Sequence, residues 1–355
     1  MDRSITLDWV QVPLKEPFRI SNGAVAVKDA IVVSYRQDGV TGYGEASPMS
    51  GAFYSTETPE SSWAALEKLA PAALRNPDVD LDTVVEGEAF AKAGLAGALV
   101  DRNLRAIKKP LWEWLGAADR PVPSGVAIGI FDTVEELLDR VQLYVSQGYR
   151  RVKIKIQHGW DVEPVCRVRE KFPNVPLMVD ANAAYTIADL PVFRELDRFG
   201  LMMYEQPLGR HALEEMAELS RSVKTPVCAD ESAESLAMLE RLIELGSAKI
   251  INIKIQRVGG IHSAKRMHDR AQEAGLPCWM GTMPELGIAS VEAVHLATLP
   301  NFQYPTDVEA SSRWYTDDII EPQIQISAEG YLQAQVAQVS QEKLERYCIK
   351  HATLK

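Results

Sequence analysis

The stretch VPLMVD at residues 175–180 is an apolar, strand-like run that ends in a carboxylate, Asp180, and three later segments repeat this pattern. They read LMMYE at 201–205, PVCAD at 226–230 and IINIK at 250–254, and they end in Glu205, Asp230 and Lys254. The four ionisable residues follow one another at intervals of about 25 residues, close to the length of one βαβ unit. The spacing predicts three carboxylates and an amine at equivalent ends of neighbouring parallel strands, where β/α barrels carry out chemistry.

Strands and helices alternate from residue 122 onward, which predicts a parallel sheet covered by helices. The strands are expected near 122–130, 150–156, 175–180, 201–205, 226–230, 249–254, 277–281 and 302–307, with a helix in each of the seven intervals. Eight such strands can close into a barrel. The predicted fold class is therefore α/β, a modified TIM barrel of the form (β/α)7β.

The N-terminal part has a different pattern, in which three strand-like segments precede two helical ones. This order predicts an α+β module, and Asp38-Gly39 is a typical hairpin turn between its second and third strands. We expect this module over residues 1–120 and the barrel over 121–320. A C-terminal segment over 321–355 is expected to pack back on the first module.

Composition excludes several classes of partner. The 355-residue chain has a net charge of −11, which opposes nucleic-acid binding because phosphate contacts need a basic surface. We see no signal peptide and no apolar run long enough to cross a bilayer. The four cysteines are scattered without a CxxC pair, as in a reducing compartment. We expect a cytoplasmic enzyme that acts on a small molecule; whether it forms a homo-oligomer is left open.

The three acids Asp180, Glu205 and Asp230 suggest a metal site. Carboxylate oxygens suit Mg²⁺, with Mn²⁺ as a substitute, whereas the absence of His and Cys at these strand ends disfavours zinc. Asn182 and Glu231 follow two of the acids and are expected to orient them or to face substrate. Each acid could instead cap the next helix, but three buried in register would repel one another, and a divalent cation would relieve that repulsion.

Lys153 and Lys155 alternate with isoleucines in the second barrel strand, so both amines share one face. If the isoleucines face the helices, the amines point into the barrel, and Lys155 and Lys254 flank the three acids from opposite sides. Burial near a cation lowers the pKa of a lysine, so either amine could act as a base. A metal-stabilised enediolate between two such lysines could lose and regain a proton. The alternative is an exposed edge strand.

Two further strand ends are candidates for contact with substrate. Gly281, Thr282 and Met283 close the seventh strand and are expected to line the substrate pocket. Asp307 closes the eighth strand, where orienting a lysine and capping a turn are equally good interpretations. None of the six histidines lies at a strand end, and no GxSxG nucleophile motif or glycine-rich phosphate loop is present.

These residues resemble the enolase superfamily, in its muconate-lactonising-enzyme subgroup, over nearly the whole chain. Within that subgroup the sequence is most similar to o-succinylbenzoate synthases and N-acylamino acid (N-succinylamino acid) racemases. The motifs that carry the resemblance are PLKEPFRIS (13–21), GYGEASPMSGAFYSTET (42–58), RVKIKIQHGWD (151–161), LMVDANAAYT (177–186), YEQPL (204–208), CADES (228–232), INIKIQRVGG (251–260) and ATLPNFQYPTDVEASSRW (297–314).

The resemblance implies roles for these residues. Lys155 and Lys254 would be the acid/base catalysts and Lys153 an auxiliary cation, beside three acids that bind Mg²⁺. Loops around Ser21 and Phe53–Tyr54 of the N-terminal module, a capping domain in this family, would close over the substrate. The implied reaction removes the proton α to a carboxylate. It then completes a syn dehydration to o-succinylbenzoate, a step of menaquinone biosynthesis, or racemises an N-acylamino acid.

Several positions depart from the family pattern and leave the substrate open. Ala127 stands where the family usually has serine, and Thr282 and Ser290 replace a glycine and an arginine around the seventh strand. Cycloisomerisation and dipeptide epimerisation remain alternatives, although dipeptide epimerases usually carry Asp-x-Asp where this chain has Asp307-Val308-Glu309. A barrel that only binds a carboxylate is the non-enzymatic alternative.

Overall fold

The computed structural model describes residues 3–20, 23–50, 55–336 and 338–355. Its strands are β1 (Arg3–Ile20), β2 (Gly23–Gln37), β3 (Val40–Ala46), β4 (Val122–Pro123), β5 (Val126–Ile128), β6 (Val152–Lys155), β7 (Leu177–Asp180), β8 (Tyr204–Glu205), β9 (Val227–Ala229), β10 (Ile250–Ile253), β11 (Cys278–Met280), β12 (Ile320–Glu321), β13 (Tyr331–Leu332), β14 (Gln338–Val339) and β15 (Cys348–Leu354). Its α-helices are α1 (Pro59–Arg75), α2 (Ala89–Ile107), α3 (Leu111–Trp114), α4 (Val134–Ser146), α5 (Val162–Lys171), α6 (Leu190–Leu196), α7 (Leu213–Ser222), α8 (Leu236–Leu245), α9 (Ile261–Glu273), α10 (Gly287–Leu296), α11 (Ser311–Trp314) and α12 (Gln341–Tyr347). None of the helices in these ranges combines the length and apolar character needed to span a bilayer.

The N-terminal part is an antiparallel sheet in the order β15-β1-β2-β3, with helices α1 and α2 packed against it. Asp38 and Gly39 form the β2–β3 turn, and both have positive φ angles (51° and 81°), as a type I′ hairpin turn requires. Helix α2 lies directly on β3, because a Cβ atom at Gly44 would come within 2.0 Å of the Gly94 carbonyl oxygen. The last strand, β15, pairs with β1, so both ends of the chain share this sheet.

The second part is a parallel sheet whose seven strands follow chain order from β5 to β11, with helices on the outer face. Lys155 pairs in register with Asp180, and Asp180 with Glu205. The strand ends are therefore level at one rim of the barrel. The predicted fold class is confirmed: a modified (β/α)7β barrel follows an N-terminal α+β module.

The barrel closes through the segment 302–306, which forms two isolated parallel pairings instead of a continuous strand. Phe302 pairs with Cys278, and Thr306 pairs with Ser124. The guanidinium of Arg151 is fully buried here, and its Nη2 donates to the carbonyl oxygens of Pro305 (3.1 Å) and Thr306 (3.2 Å). A strand over 302–307 was predicted. A regular ladder is interrupted at Pro305, which has no N–H to donate and whose carbonyl accepts from the side chains of Arg151 and Trp279.

We predict that Arg151→Met lowers the free energy of unfolding by about 3–5 kcal/mol, since it removes one partner of a buried ion pair with Asp307. Urea denaturation followed by circular dichroism measures the change. The exposed neighbour Arg150 provides the matched variant Arg150→Met, which should cost far less. Equal losses in the two variants would show that Arg151 does not hold the barrel closed.

Candidate active site

Five ionisable side chains converge at the rim formed by the carboxyl ends of strands β6 to β10. Lys155, Asp180 and Glu205 are the last residues of β6, β7 and β8, and Asp230 and Lys254 directly follow β9 and β10. The exposed fraction of each residue is 6% or less. Because the three acid-bearing strands lie between β6 and β10 in the sheet, the two lysines stand on opposite sides of the acids.

Each of the two flanking lysines contacts the acid nearest to it. Lys155 Nζ lies 2.5 Å from Asp180 Oδ2 and 2.8 Å from Asn182 Oδ1. Lys254 Nζ lies 2.9 Å from Asp230 Oδ2. Burial alone would raise the pKa of Asp230, but Arg257 and Lys254 hold that pKa well below its usual value. The Asp230 carboxylate is therefore ionised.

Lys153 lies among three carboxylates on the same barrel face. Its Nζ is 2.5 Å from Asp307 Oδ2, 3.2 Å from Glu205 Oε2 and 3.6 Å from Asp180 Oδ2. The amine also stands 4.7 Å from the centre of the Trp279 ring, a favourable cation–π distance. Burial lowers the pKa of Lys153, but the acids outweigh burial and raise it well above its ordinary value. This lysine is a fixed positive charge.

Glu205 is the least compensated of the three acids. Its Oε1 accepts a hydrogen bond from Asn252 Nδ2 at 3.0 Å, whereas Oε2 accepts none from the described residues, since the contact with Lys153 lacks hydrogen-bond geometry. Burial, reinforced by the charge of Asp180, raises the pKa of Glu205 well above its usual value. The Lys153 ammonium at 3.2 Å offsets this effect only in part.

The donor set at this rim suits a hard divalent cation, because it consists of three buried carboxylates that repel one another. Within the described ranges no three acidic, histidine or cysteine side chains are drawn together tightly enough to form a finished ligand cage. Lysine, arginine and amide groups take positions among the acids instead. Asn252 illustrates this, since its amide bridges Glu205 and Asp230 at 3.0 and 2.8 Å.

The backbone at two of these strand ends is strained. Asn182, Ala183 and Gln206 have φ angles of 43°, 60° and 34°, a left-handed region that costs energy for residues other than glycine. The Gln206 side chain is fully buried and its Oε1 accepts from the backbone N–H of Asp230 (2.9 Å). Such strain is typical of functional sites and here fixes the direction of the acids.

A cavity lies above the rim and is lined by both flanking lysines together with residues from the N-terminal part and from later loops. Lys155, Lys254, Thr282 and Met283 are among its lining residues, and Met49 closes it from the N-terminal side. Met49 lies between two anchored residues, since Lys28 donates to the Pro48 carbonyl and Ser50 donates to Asp29. The two amines therefore face the same cavity.

Some of the remaining predicted site residues lie at the cavity or beside the acids, and others do not. Asp307 contacts Arg151 and Lys153 and lines the cavity. Glu231 accepts from Asn182 (3.3 Å) beside the acids. Gly281 does not line the cavity; it leaves room for Asn252, whose Oδ1 would lie 2.2 Å from a Cβ atom there. Ser21, Phe53 and Tyr54 lie outside the described residues.

Several residues that contact the site were not predicted from the sequence. Asn252 was detectable, because it precedes Lys254 by two positions and so shares its face of β10. Trp279 and Arg257 carry no such signal, since an apolar strand residue and a loop arginine are ordinary. Glu309 lines the cavity; burial, only partly offset by Arg313, raises its pKa to about 7.

Most of the chain matches known protein families. Residues 3–116 match the family described as the N-terminal domain of mandelate racemase and muconate lactonizing enzyme, and residues 136–337 match the family described as enolase C-terminal domain-like. A solved structure of an enolase-superfamily member from Listeria innocua superposes with a TM-score of 0.94 at 31% identity, covering 99% of this chain and 98% of that one.

Two curated relatives are similar over most of their length. An o-succinylbenzoate synthase from Geobacillus kaustophilus is 42% identical over 330 residues, covering 91% of this chain and 88% of the relative. An N-succinylamino acid racemase from Amycolatopsis is 42% identical over 326 residues, covering 90% and 89%.

We predict that substitutions at two of the acids change the stability of the metal-free protein by very different amounts. Asp230→Asn should lower the free energy of unfolding by about 3–5 kcal/mol because it leaves Lys254 and Arg257 without their buried partner. Glu205→Gln should change that free energy by less than about 1 kcal/mol, since the amide keeps an acceptor for Asn252, Asp180 no longer faces a second negative charge, and Lys153 keeps its contacts with Asp307 and Asp180. Urea unfolding in the presence of EDTA measures the free energy of unfolding of both variants. If Glu205→Gln loses as much stability as Asp230→Asn, Glu205 is not the less compensated acid.

Proposed function

The chain belongs to the enolase superfamily and is an enzyme of the lyase and isomerase type, and from that premise we propose that it removes the proton α to a substrate carboxylate. The observation that carries this proposal is the pair Lys155 and Lys254, which stand on opposite sides of three buried acids and line one cavity. A substrate carbon held between two amines can lose a proton to one and gain a proton from the other.

The two flanking lysines are the proposed acid/base pair. The Nζ of one takes the α-proton from its face of the substrate, and the Nζ of the other returns a proton from the opposite face, which inverts the carbon. A syn dehydration uses one face only: the lysine that takes the α-proton gives it to the leaving hydroxyl group, which departs as water, and the second lysine acts as a nearby cation. Contacts with Asp180 and Asp230 orient the two amines.

Lys153 is proposed as an auxiliary cation and not as a base. Three carboxylates hold its pKa high although burial opposes this, so its proton is not available for exchange. Asp307 fixes the amine at 2.5 Å and is itself fixed by Arg151 at 2.7 Å. A positive charge at this place stabilises negative charge that develops on the substrate carboxylate.

Asp180, Glu205 and Asp230 are the residues that would hold Mg²⁺, or Mn²⁺ in its place. Their support is chemical: they are hard oxygen donors, buried and mutually repelling, and one oxygen of Glu205 lacks a hydrogen bond from the described residues. When bound, the ion would supply Lewis-acid stabilisation of the substrate carboxylate as its α-proton leaves. Asn182 and Glu231 would orient the acids and border the substrate.

The substrate proposed is a carboxylate of the kind named in the relatives: the precursor of o-succinylbenzoate, an N-succinylamino acid, or both. The cavity is closed by Met49 from the N-terminal part, which supports a capping role for residues 1–120 over a barrel at 121–320, with 321–355 returning to the cap through β15. Ser21, Phe53 and Tyr54, together with Thr282 and Met283, are proposed substrate contacts.

Dipeptide epimerisation is a second candidate because of Glu309. Its buried carboxyl group lines the cavity and, in its ionised form, can accept a hydrogen bond from a substrate ammonium group; burial opposes that form by raising the pKa of Glu309 to about 7. Its Oε1 already accepts from the Ala127 N–H at 2.7 Å, and Arg313 lies 3.5 Å from Oε2. The nearby arginine makes this the weaker candidate.

We predict that each flanking lysine serves one enantiomer. Wild type should exchange the α-proton of both N-succinyl-L- and N-succinyl-D-phenylalanine in D₂O, as seen by ¹H NMR. Lys155→Met and Lys254→Met should each lose racemisation by about a hundredfold or more, while each retains exchange of the enantiomer that faces the remaining amine.

Lys249→Met is the matched control, because this exposed lysine lies at the opposite end of the same strand as Lys254. It should leave both exchanges unchanged. Full racemisation by either single-lysine variant would remove that lysine from the mechanism. If the wild-type protein exchanges the α-proton of neither these nor other carboxylates, it does not catalyse the proposed reaction.

We predict that Mg²⁺ stabilises the protein through the three acids. At about a hundred times its dissociation constant it should add about 2.7 kcal/mol to the free energy of unfolding, seen as a rise in melting temperature. Asp180→Asn should reduce that rise, whereas Glu309→Gln, at a buried acid of the cavity wall, should keep it. Equal rises in the two variants would place the metal elsewhere.

A further inference from the structure

A second cavity, with a volume of about 510 Å³, lies between helix α2, helix α10 and the segment that contains β12 and β14. It shares no lining residue with the cavity above the lysines. Its size is that of a small-molecule site. No role in the proposed reaction accounts for it.

Two helix faces form the walls of this cavity. Residues at 288, 291, 292 and 295 of α10 and at 97, 100, 101, 104 and 105 of α2 line it, and both sets have the spacing of a single helical face. Most of the lining is apolar: Val100, Leu104, Leu111, Ile288, Val291 and Ile320. Gly97 contributes no side chain opposite α10, which leaves the space open.

Glu292 is the exception on this apolar wall. Its carboxylate lies near Gly97, with Oε1 3.4 Å from the place of an added Cβ atom. The side chain is surrounded by protein, and part of its surface stays accessible because it faces the cavity. Among the described residues no donor or cation forms a hydrogen bond or ion pair with it, so the accessible part of the carboxyl group is free to contact a molecule in the cavity.

Three basic side chains also line the cavity: Arg105 pairs with Asp101 (2.7 Å), Lys109 pairs with Glu113 (3.5 Å), and Lys108 is exposed to solvent. Asp101 accepts from the Tyr43 N–H at 2.8 Å and from Arg105 Nε at 2.7 Å. His295 Nδ1 accepts from the Trp112 N–H, so its Nε2 carries the proton and donates to the Gln335 carbonyl at 3.1 Å. Glu292 is thus the one acidic group of the wall whose hydrogen-bonding capacity is unused within the described part of the chain.

We propose that this cavity binds a small amine, with an apolar body against α2 and α10 and a protonated amino group at the Glu292 carboxylate. The apolar walls select the body, and the unpartnered carboxylate selects a cationic donor over a neutral or anionic head. Burial, together with the charges of Asp101 and Glu45, raises the pKa of Glu292 to about 8. A bound ammonium group would offset that cost of ionisation.

The test uses n-hexylammonium as the probe, with n-hexanol and hexanoate as matched neutral and anionic heads on the same chain. Isothermal titration calorimetry of the full-length protein in an amine-free buffer at pH 8 should show that hexylammonium binds and that hexanoate does not. Glu292→Gln should weaken hexylammonium binding by about tenfold or more and leave hexanol binding nearly unchanged.

Two further variants locate the probe. Val291→Phe fills the cavity from the same wall and should weaken both hexylammonium and hexanol. Glu309 lines the other cavity, so Glu309→Gln should leave the binding of both probes unchanged. The proposal is overturned if wild type binds no hexylammonium at millimolar concentration, or if its affinity is the same in Glu292→Gln and Val291→Phe as in wild type.

Discussion

The structure depends on compensation of charge at the centre of a closed barrel. Ionised groups excluded from water persist only when opposite charges and hydrogen bonds replace the solvent. Lys153 provides this replacement, because the carboxylates of Asp180, Glu205 and Asp307 all lie within 3.6 Å of its amine. Because those acids come from distant parts of the chain, the same contacts that keep the charges ionised also hold the strand ends level.

A second set of buried polar contacts positions the N-terminal part over this rim. Glu45, at the end of β3, accepts from the N–H groups of Leu286 (2.8 Å) and Ala289 (3.0 Å) at the start of α10. Gln256 donates to the Glu45 carbonyl (2.8 Å) and accepts from Ser47 (3.0 Å). Hydrogen bonds in such a low-dielectric setting are costly to leave unmade. The segment that carries Met49 over the lysines is therefore fixed to the barrel and does not rest on it loosely.

The sequence predicts those features of the fold that follow from the backbone periods of strands and helices. The period of about 25 residues predicted the β/α order, and the alternation in β6 placed Lys153 and Lys155 on one face, because strand and helix periods are properties of the backbone. The barrel closure could not be predicted in this way. Arg151 precedes a strand and looks like an exposed residue, yet it is fully buried and ties Pro305 and Thr306 to the first strand. Its role depends on a contact more than 150 positions away, which no local pattern encodes.

Two of the positions that depart from the family pattern, Ala127 and Thr282, lie on the wall of the cavity and not among the acids of the rim. Ala127 has no hydroxyl group to offer, and its backbone N–H is taken by Glu309. Thr282 lies against the Asp307 carbonyl at 3.4 Å. The acids and amines sit on strand ends that are held by the barrel, whereas the wall is built from residues whose changes leave those ends in place. Substrate preference can therefore change in this fold while the charge arrangement that would remove a proton is kept, which is why the wall, and not the rim, separates the candidate reactions.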